Sequence, residues 1–333
     1  MKRSHLVFLV AVSYGLVLCS GLTTSEEYDD DPDDEDPDSN EKSDEDDDEP
    51  ILYHEDDNTE APKTPEREQF LRRIQDHGIY HSLQSILEAL DKEEYRDKIE
   101  VRQLINSYQN DCSDGKIEVP PVYNKTGLWP FIVIEGVQTS GKLTVSRRVT
   151  EILQADFLTT PPDCLFHLRP AFDAYNCTLR SLYYSLSMYA LANQAMKRLR
   201  TRSVVANRYW HSQAAFGLAV AELSENMHLP PDSVLYKWPD DLLKPDLAFY
   251  LQYSHGKNLR GPKKPNIQRS ISRRFRDRMV THYTRMREPF LVDIFEQYTH
   301  YQLGKMVKVI EDKYPNKYPY ITSKDLVYQR AIS

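Results

Sequence analysis

The chain of 333 residues lacks features that define several common classes of protein. It contains only four cysteines, and their spacing matches no zinc-binding pattern. Beyond residue 24, no apolar run approaches the roughly 20 residues that a membrane-spanning helix needs. The basic stretch 257–278 lacks the interleaved aromatic residues of a single-strand nucleic-acid platform. The sequence therefore predicts no metal site of the zinc type, no membrane span after its first segment and no nucleic-acid partner.

The first 24 residues have the layout of a secretory signal peptide. Lys2 and Arg3 precede an apolar run from Leu6 to Leu18, and small residues follow around Cys19. A retained membrane anchor is the alternative, but the run is shorter than a bilayer span. We expect cleavage, and either secretion or residence in the lumen of the endoplasmic reticulum or Golgi.

Residues 25–63 form an acidic segment for which we expect disorder. Positions 26–60 hold 21 of the 51 Asp and Glu residues and one Lys, so little apolar surface is present to offset the cost of ordering. From residue 61 onward there are 39 Lys and Arg against 30 Asp and Glu, although the whole chain carries −9. Such a segment can screen a phosphate site, bind Ca²⁺ weakly or keep the protein soluble, and solubility is the simplest interpretation.

Residues 64–128 read as a helical prefix and a linker. Thr64 is a plausible N-cap, with Pro65 at the first helical position. Apolar residues then recur at helical spacing through Leu83–Leu90 and Ile99–Ile105. A turn-rich linker from 110 to 127 leads into a core domain at 129–315, and 316–333 form a C-terminal tail.

The core domain opens with the outline of a phosphate-binding loop. Phe131–Ile134 is an apolar run typical of a strand buried on both faces of a parallel sheet. Gly136, four residues, Gly141 and Lys142 then match the spacing in which backbone N–H groups surround an anion and the lysine reaches the outer phosphates. The predicted site comprises Gly136, Ser140, Gly141, Lys142 and Thr144.

The residue after the lysine breaks this pattern. A hydroxyl is expected there to hold Mg²⁺, but the chain has Leu143, and Thr144 comes one place late. One helical residue turns about 100°, so we expect Thr144 to be a poor substitute. Val145 and Val149 begin an apolar helical stripe that ends at Leu153 and predicts packing of this helix on the sheet.

Strands and helices alternate after the loop helix. Further strands are predicted at 157–158, 203–206, 247–253 and 290–294, with a long helix over 178–200 and a terminal helix after the last strand. This alternation predicts an α/β fold, a five-stranded parallel sheet covered on both faces in three layers. Ligands of such sheets bind beyond the carboxyl ends of the strands, where the loop lies.

Five motifs in order resemble the thymidylate kinase superfamily of P-loop nucleoside monophosphate kinases, and within it the mitochondrial UMP/CMP kinase branch. They are FIVIEG followed by GK at 141–142, PPDC at 161–164, NRYWHS at 207–212, YKWPDDLLKPDL at 236–247 and FRDRMVTHYTRM at 275–286. The resemblance implies transfer of the ATP γ-phosphoryl to dTMP, UMP or CMP, and a homodimer.

The resemblance also implies roles for individual residues. Lys142 would hold donor phosphates, Arg208 would clamp phosphate, and Arg169 would face the acceptor phosphate. Either Tyr183 or Tyr184 would stack on the acceptor base. The stretch 257–278, with Arg269, Arg273 and Arg274, corresponds to the lid that closes over the donor.

Three departures from the family pattern weaken metal and acceptor handling. Gln138 replaces a loop aspartate, Leu143 replaces the Mg²⁺-binding hydroxyl, and Asn207 replaces the aspartate before Arg208. Mg²⁺ binding is therefore doubtful, whereas anion binding through the glycines, Lys142 and Arg208 can survive. Asp240, Asp241 and Asp246 are candidate replacement ligands, although a structural role is the simpler interpretation of each, as it is for His211.

Modification sites and disulfides follow from the predicted compartment. Asn124 and Asn176 begin Asn-x-Ser/Thr sequons, which are glycosylation acceptors if exposed in the secretory pathway. Removal of Cys19 with the signal peptide leaves Cys112, Cys164 and Cys177. We expect one disulfide, between Cys164 and Cys177, with three buried thiols as the alternative.

Three hypotheses follow. The first is a secreted or lumenal kinase-like protein that binds a nucleotide or phosphate with impaired phosphotransfer. The second is an active nucleoside monophosphate kinase that recruits Mg²⁺ in another way. The third is an interaction protein that keeps the fold and binds no nucleotide.

Overall fold

The structure is a computed structural model that describes residues 78–137, 141–175, 177–225, 228–252, 266–295, 299–319 and 321. The predicted signal peptide, the acidic segment, the start of the prefix, Ser140, Asn176 and most of the C-terminal tail lie outside the described residues. The side chains of Cys177 and of residues 266–272, which include Arg269, are also outside the description.

Five parallel strands form one sheet, as the sequence predicts. Their order is β2-β3-β1-β4-β5, so the strand before the loop is central and pairs with β3 on one side and β4 on the other. All six residues of β1 are buried, which explains their apolar run. The strands are β1 Phe131–Gly136, β2 Asp156–Thr159, β3 Val204–Asn207, β4 Leu247–Leu251 and β5 Leu291–Ile294.

Helices cover both faces of the sheet. On one face the helix after the loop buries Val145, Val149 and the following Leu153 against alternate residues of β1, including Ile132 and Ile134, and this confirms the predicted stripe. The helices are α1 Leu83–Leu90, α2 Ile99–Ser107, α3 Lys142–Ile152, α4 Asp163–Phe166, α5 Arg169–Asp173, α6 Cys177–Arg198, α7 Trp210–Glu225, α8 Asn266–Arg285 and α9 Thr299–Lys313.

The prefix packs directly on the long helix α6 and shares one hydrophobic core with the sheet. Leu83, Ile86 and Leu104 are fully buried, as their spacing predicts, whereas Ile99 is 69% exposed and does not join the core. Gly78 lies so close to α6 that an added Cβ would stand 2.1 Å from the Ser181 Cβ. The prefix is therefore an extra layer of the domain, and α6 is enclosed between it and the sheet.

Asp241 ties the prefix to the core domain. Its carboxylate accepts the Leu83 N–H at the start of α1 at 2.8 Å and the Tyr189 hydroxyl of α6 at 2.6 Å. A helix N-terminus leaves backbone N–H groups without partners, and a carboxylate there satisfies one of them. Asp241 thus has the structural role that is the simpler interpretation of its motif.

The predicted disulfide between Cys164 and Cys177 is wrong. Cys164, at the start of α4, is bonded to Cys112, at the end of a π-helical turn (Tyr108–Cys112) that continues α2. The two Cα atoms are 5.8 Å apart across a sequence separation of 52 residues. The bond joins the prefix to the segment that leads into α5 and α6. The prediction relied on closeness in sequence, and Cys112 and Cys164 are far apart in the sequence.

Within the described ranges, no helix is both long enough and apolar enough to cross a bilayer.

Candidate phosphate-binding site

The loop after β1 ends in a helix N-terminus at the carboxyl edge of the sheet. Gly136 and Gly141 both have positive φ, at 152° and 73°, and Gly141 is the N-cap of α3. A side chain is disfavoured in such backbone conformations, so the two glycines of the motif allow the loop to turn. The backbone N–H groups in the first turn of α3 and the helix dipole make this end of the helix favourable for an anion.

Lys142 lies at the first position of α3 and is almost completely buried. Its ammonium donates a hydrogen bond to the Val137 carbonyl at 2.6 Å, across the loop. The charge is thereby held over the loop backbone. Residues 138–140 between these two positions are outside the description.

Arg208 lies beside the loop because β3 is adjacent to β1. Its backbone N–H donates to the Ile134 carbonyl at 3.0 Å, and its carbonyl accepts the Thr160 hydroxyl at 3.0 Å. Arg208 has a φ of 68°, a left-handed conformation that is uncommon for a residue with a side chain. The chain thus turns sharply after β3 and places a half-buried arginine at the same edge as Lys142.

A second set of charged residues surrounds Asp173 near the start of α6. The carboxylate accepts from Arg169 at 3.2 Å, from Arg180 at 3.0 Å and from the Tyr184 hydroxyl at 2.9 Å. Burial raises the pKa of Tyr184 to about 12, and the nearby Asp173 charge acts in the same direction. Arg169 and Tyr184 are therefore brought together on the Asp173 carboxylate.

The structure separates the two candidate tyrosines. Tyr183 is fully buried, stacks on Phe172 with ring centroids 4.7 Å apart, and donates to the Leu165 carbonyl at 3.0 Å. Every residue from 181 to 192 is buried except Tyr184. Tyr184 is the tyrosine that remains in contact with the polar cluster. Sequence reasoning missed Arg180, although it lies four residues before Tyr184 and hence on the same helical face.

The positions implied for Mg²⁺ offer few ligands. Leu143 is half-buried, and Thr144 is exposed, as expected from its displaced position. The Asn207 Oδ1 is buried and has no hydrogen-bond partner among the described residues. No group of three His, Cys, Asp or Glu in the described part of the chain is arranged to hold a metal ion.

The three aspartates considered as replacement Mg²⁺ ligands have other positions in the structure. Asp246 accepts the Phe131 N–H at 2.8 Å and pairs with Lys125, so it lies at the amino end of β1. Strand β1 has six residues at about 3.3 Å each, which puts Asp246 at the opposite end of the strand from the loop. Asp241 contacts α1, and Asp240 is exposed.

Other predicted residues are placed as follows. His211 is fully buried beside Trp210 and Trp238, with ring centroids 5.8 and 5.3 Å away, so it is a packed residue at the start of α7. Arg273 and Arg274 of the implied lid are exposed on α8. Asn124 is exposed, and its Oδ1 accepts the Thr126 N–H at 3.0 Å.

A further buried polar cluster joins α7 to α8, away from the loop. The Glu222 carboxylate accepts the Leu229 N–H at 2.6 Å and lies 3.5 Å from the His282 Nε2 and 3.6 Å from the Arg278 Nε. Burial, reinforced by Arg285 and Arg278, lowers the pKa of His282 to about 3. Burial also raises the pKa of Glu222 above its ordinary value.

The chain is similar in sequence to part of a known nucleoside monophosphate kinase. It is 34% identical over 177 residues to human mitochondrial UMP-CMP kinase 2. The matched region covers 51% of the chain and 39% of that relative, so the chain spans about two fifths of its length. No protein-family model matches the chain.

Two solved thymidylate kinases also match the chain at low sequence identity. The Candida albicans enzyme is 17% identical with a TM-score of 0.42, and the match covers 56% of this chain and 92% of that one. The Ehrlichia chaffeensis enzyme is 16% identical with a TM-score of 0.37, covering 55% and 99%.

Proposed function

We propose that this chain is a secreted or lumenal kinase-like protein that binds a nucleotide or phosphate and has impaired phosphotransfer. The proposal rests on a contrast between the groups of the site that can bind an anion and the positions that would hold Mg²⁺. The groups that bind anions, namely Gly141, Lys142 and Arg208, meet at one edge of the sheet. The positions that would hold Mg²⁺ carry a leucine and an asparagine.

Anion binding needs only the groups that the site retains. The N-terminus of α3 supplies backbone N–H groups and a favourable dipole, and two cationic side chains add charge. The ligand that fits this arrangement is the triphosphate of ATP, and the relative named as a UMP-CMP kinase supports that choice. Arg169, Arg180 and Tyr184 form the site at which a pyrimidine monophosphate is expected.

Phosphoryl transfer needs more than the site retains. When bound, Mg²⁺ bridges the outer phosphates and neutralises charge that develops during transfer. Leu143 offers no oxygen, Thr144 is exposed, and the amide of Asn207 is a weaker ligand than a carboxylate. The residues present do not fit the ion, and the proposed function includes no reaction step that uses it.

The size of the expected defect follows from two losses. Removal of one group that stabilises the transition state costs roughly 2–4 kcal/mol. Two such losses slow the chemical step by about 10³-fold or more. Binding of ATP, by contrast, would keep its lysine, its arginine and its helix N-terminus.

Two features support the part of the proposal that concerns the compartment. The N-terminal segment has the composition of a signal peptide. A disulfide between Cys112 and Cys164 is typical of oxidising compartments and uncommon in the cytosol. Asn124, exposed on the linker, is the described sequon residue that would carry a glycan there.

A thermal-shift experiment on the purified mature chain tests the function. Melting is measured with ATP, dTMP, UMP and CMP, each with Mg²⁺ and each with EDTA, because a ligand that binds the native state raises the melting temperature by mass action. We expect a shift with ATP that is the same in Mg²⁺ and in EDTA. Lys142→Ala should abolish this shift, whereas Arg147→Ala, which removes an exposed charge from the same helix, should preserve it.

Other outcomes distinguish the alternatives. A shift that needs Mg²⁺, together with ADP production from ATP and a pyrimidine monophosphate that Lys142→Ala abolishes, would establish an active kinase. No shift with any nucleotide would overturn the proposal and leave an interaction protein on a kinase-like fold.

A further inference from the structure

A chain of buried hydroxyl groups links helix α8 to the first glycine of the phosphate loop. The Tyr283 hydroxyl of α8 lies 2.9 Å from the Ser212 Oγ of α7 and 3.4 Å from the Gly136 carbonyl oxygen. Ser212 in turn donates a short hydrogen bond to the Glu135 carboxylate. All four residues are buried beneath the loop.

The number of hydroxyl hydrogens on Ser212 and Tyr283 determines which group donates each of these hydrogen bonds. The single Ser212 hydroxyl hydrogen is used on Glu135, whose other oxygen accepts the Tyr209 N–H at 3.0 Å. Ser212 can therefore act only as an acceptor toward Tyr283. Among the described residues, the Tyr283 hydroxyl hydrogen has two oxygens within reach, those of Ser212 and Gly136.

A neighbouring tyrosine provides an internal comparison. Tyr250, on β4, stacks on Tyr283 with ring centroids 4.6 Å apart and planes at 26°. Its hydroxyl is also buried, but it has no hydrogen-bond partner among the described residues. The two rings share one stack, and of their two hydroxyls the one on Tyr283 contacts Gly136 in the described part of the loop.

We infer that Tyr283 is a positioning residue for the phosphate loop, which fixes the Gly136 peptide from helix α8. The inference rests on the proposed anion-binding function of the loop. Tyr283 touches no ligand in this role and acts through the backbone.

The planarity of the peptide bond explains how a contact at one carbonyl sets the loop. The Gly136 carbonyl and the Val137 N–H belong to one trans peptide unit and point in opposite directions. Tyr283 draws the carbonyl toward the face of the sheet that carries α7 and α8, because its hydroxyl lies on that face beside Ser212. The Val137 N–H is thereby turned toward the other face, from which α3 begins and where Ile134 packs against Val145.

The next peptide unit along the chain is bonded to Lys142. The Val137 carbonyl is the acceptor for the Lys142 ammonium at 2.6 Å. Without the Tyr283 contact the Gly136 peptide can rotate, since glycine tolerates a wide range of backbone angles. Rotation would misdirect both the Val137 N–H and, through the next peptide, the lysine.

Paired variants test the inference on the full mature chain. Affinity for inorganic tripolyphosphate and for ATP is measured by calorimetry on wild type, Tyr283→Phe and Tyr250→Phe, well below each melting temperature. Tyr283→Phe should bind both probes about fivefold more weakly, the effect of one hydrogen bond. Tyr250→Phe removes from the same stack a hydroxyl that has no hydrogen-bond partner in the described part of the chain, and it should bind as wild type does.

Hydrogen exchange gives a readout that needs no ligand. Amides of the loop peptide 136–142 should exchange faster in Tyr283→Phe than in wild type and should be unchanged in Tyr250→Phe. A structural loss that loosened α8 as a whole would instead raise exchange along that helix in equal measure, and it would overturn the positioning role.

The outcomes separate this inference from the function on which it rests. If wild type binds neither probe, the proposed function fails, and this inference fails with it. If wild type binds and Tyr283→Phe binds equally well, only this inference is overturned. Equal weakening in both variants would assign the effect to the ring stack and would also overturn it.

Discussion

The disulfide between Cys112 and Cys164 permits a prediction whose size can be worked out from the chain. The bond closes a loop with a sequence separation of 52 residues. A cross-link restricts the unfolded chain, and for a loop of this length the loss of entropy corresponds to about 4 kcal/mol at 25 °C. Reduction of the folded protein should therefore lower its free energy of unfolding by about 4 kcal/mol.

Urea unfolding with and without a phosphine reductant measures this difference. Reduction of wild type breaks the S–S bond and adds one hydrogen to each sulfur without substituting any residue, so it isolates the cross-link. The corresponding shift in melting temperature is about 8–16 °C for a domain of this size. Cys112→Ala/Cys164→Ala is the matched variant, and the reductant should have no further effect on it. Alanine is preferred to serine because Cys112 is fully buried and a hydroxyl there would lack a partner.

Two results would refute the reasoning. A reduced wild type with a free energy of unfolding within about 1 kcal/mol of the oxidised form would show that the cross-link does not constrain the unfolded chain as calculated. Non-reducing peptide mapping that joined Cys164 to Cys177 would show that the prefix is not attached in this way. Mapping should be done first, because it decides which loop length applies.

Three further predictions concern the fold. Gly78→Ala should lower the free energy of unfolding in urea by about 2–4 kcal/mol, because the added Cβ would overlap α6 at a φ of 89°. Gly115→Ala is the control, since its φ is 84° and the space around it is open, and it should lower this free energy by only about 1 kcal/mol. Equal losses in the two variants would contradict the packing argument. Asp241→Asn should lose roughly 1.5–3 kcal/mol through its two hydrogen bonds, whereas the exposed neighbour Asp240→Asn should be neutral. Burial lowers the pKa of His282 to about 3, so this residue contributes stability that is present above pH 6.5 and lost as pH falls toward 3. Between pH 7 and pH 5 the free energy of unfolding of wild type should fall by about 2 kcal/mol more than that of His282→Asn. Parallel pH profiles of the two proteins would argue against a neutral buried histidine.

The sheet could be predicted because its residues carry a local signal. Phe131–Ile134 is buried on both faces, and such a strand needs apolar residues at every position, so the run is visible without any knowledge of its neighbours. The helix after the loop is visible for a similar reason, since Val145 and Val149 recur at the helical period. The position of Thr144 also followed from the period alone, and the structure exposes it.

The disulfide could not be predicted because it depends on tertiary packing. Cys164 and Cys177 are close in sequence, and proximity was the only signal available. The bond to Cys112 exists because the prefix folds back over α6 and brings its π-helical turn to α4. Sequence periodicity shows that prefix helices exist, but it does not show which helix they cover.

The charged cluster around Asp173 was predicted only in part. Adjacent residues on a helix differ by about 100° in direction, so the sequence could not decide between Tyr183 and Tyr184. The decision comes from the environment of α6, where the prefix and the sheet bury every neighbouring position and leave one tyrosine beside Arg180. The missing information was which face of α6 remains partly open.

Anion binding and Mg²⁺ binding by a phosphate loop differ in how strictly they depend on the positions of the ligand groups. One can therefore be lost without the other. An anion is attracted by several N–H groups, a helix dipole and two cationic side chains, and no single group decides the outcome. Mg²⁺ demands near-ideal octahedral geometry with oxygen ligands about 2.0–2.1 Å away, so a hydroxyl displaced by one helical position no longer reaches it. In the function proposed above, Lys142 and Arg208 provide anion binding, whereas Leu143 and Asn207 stand at the positions implied for Mg²⁺. The proposal therefore assigns the impaired phosphotransfer to these two positions and the retained phosphate binding to the others.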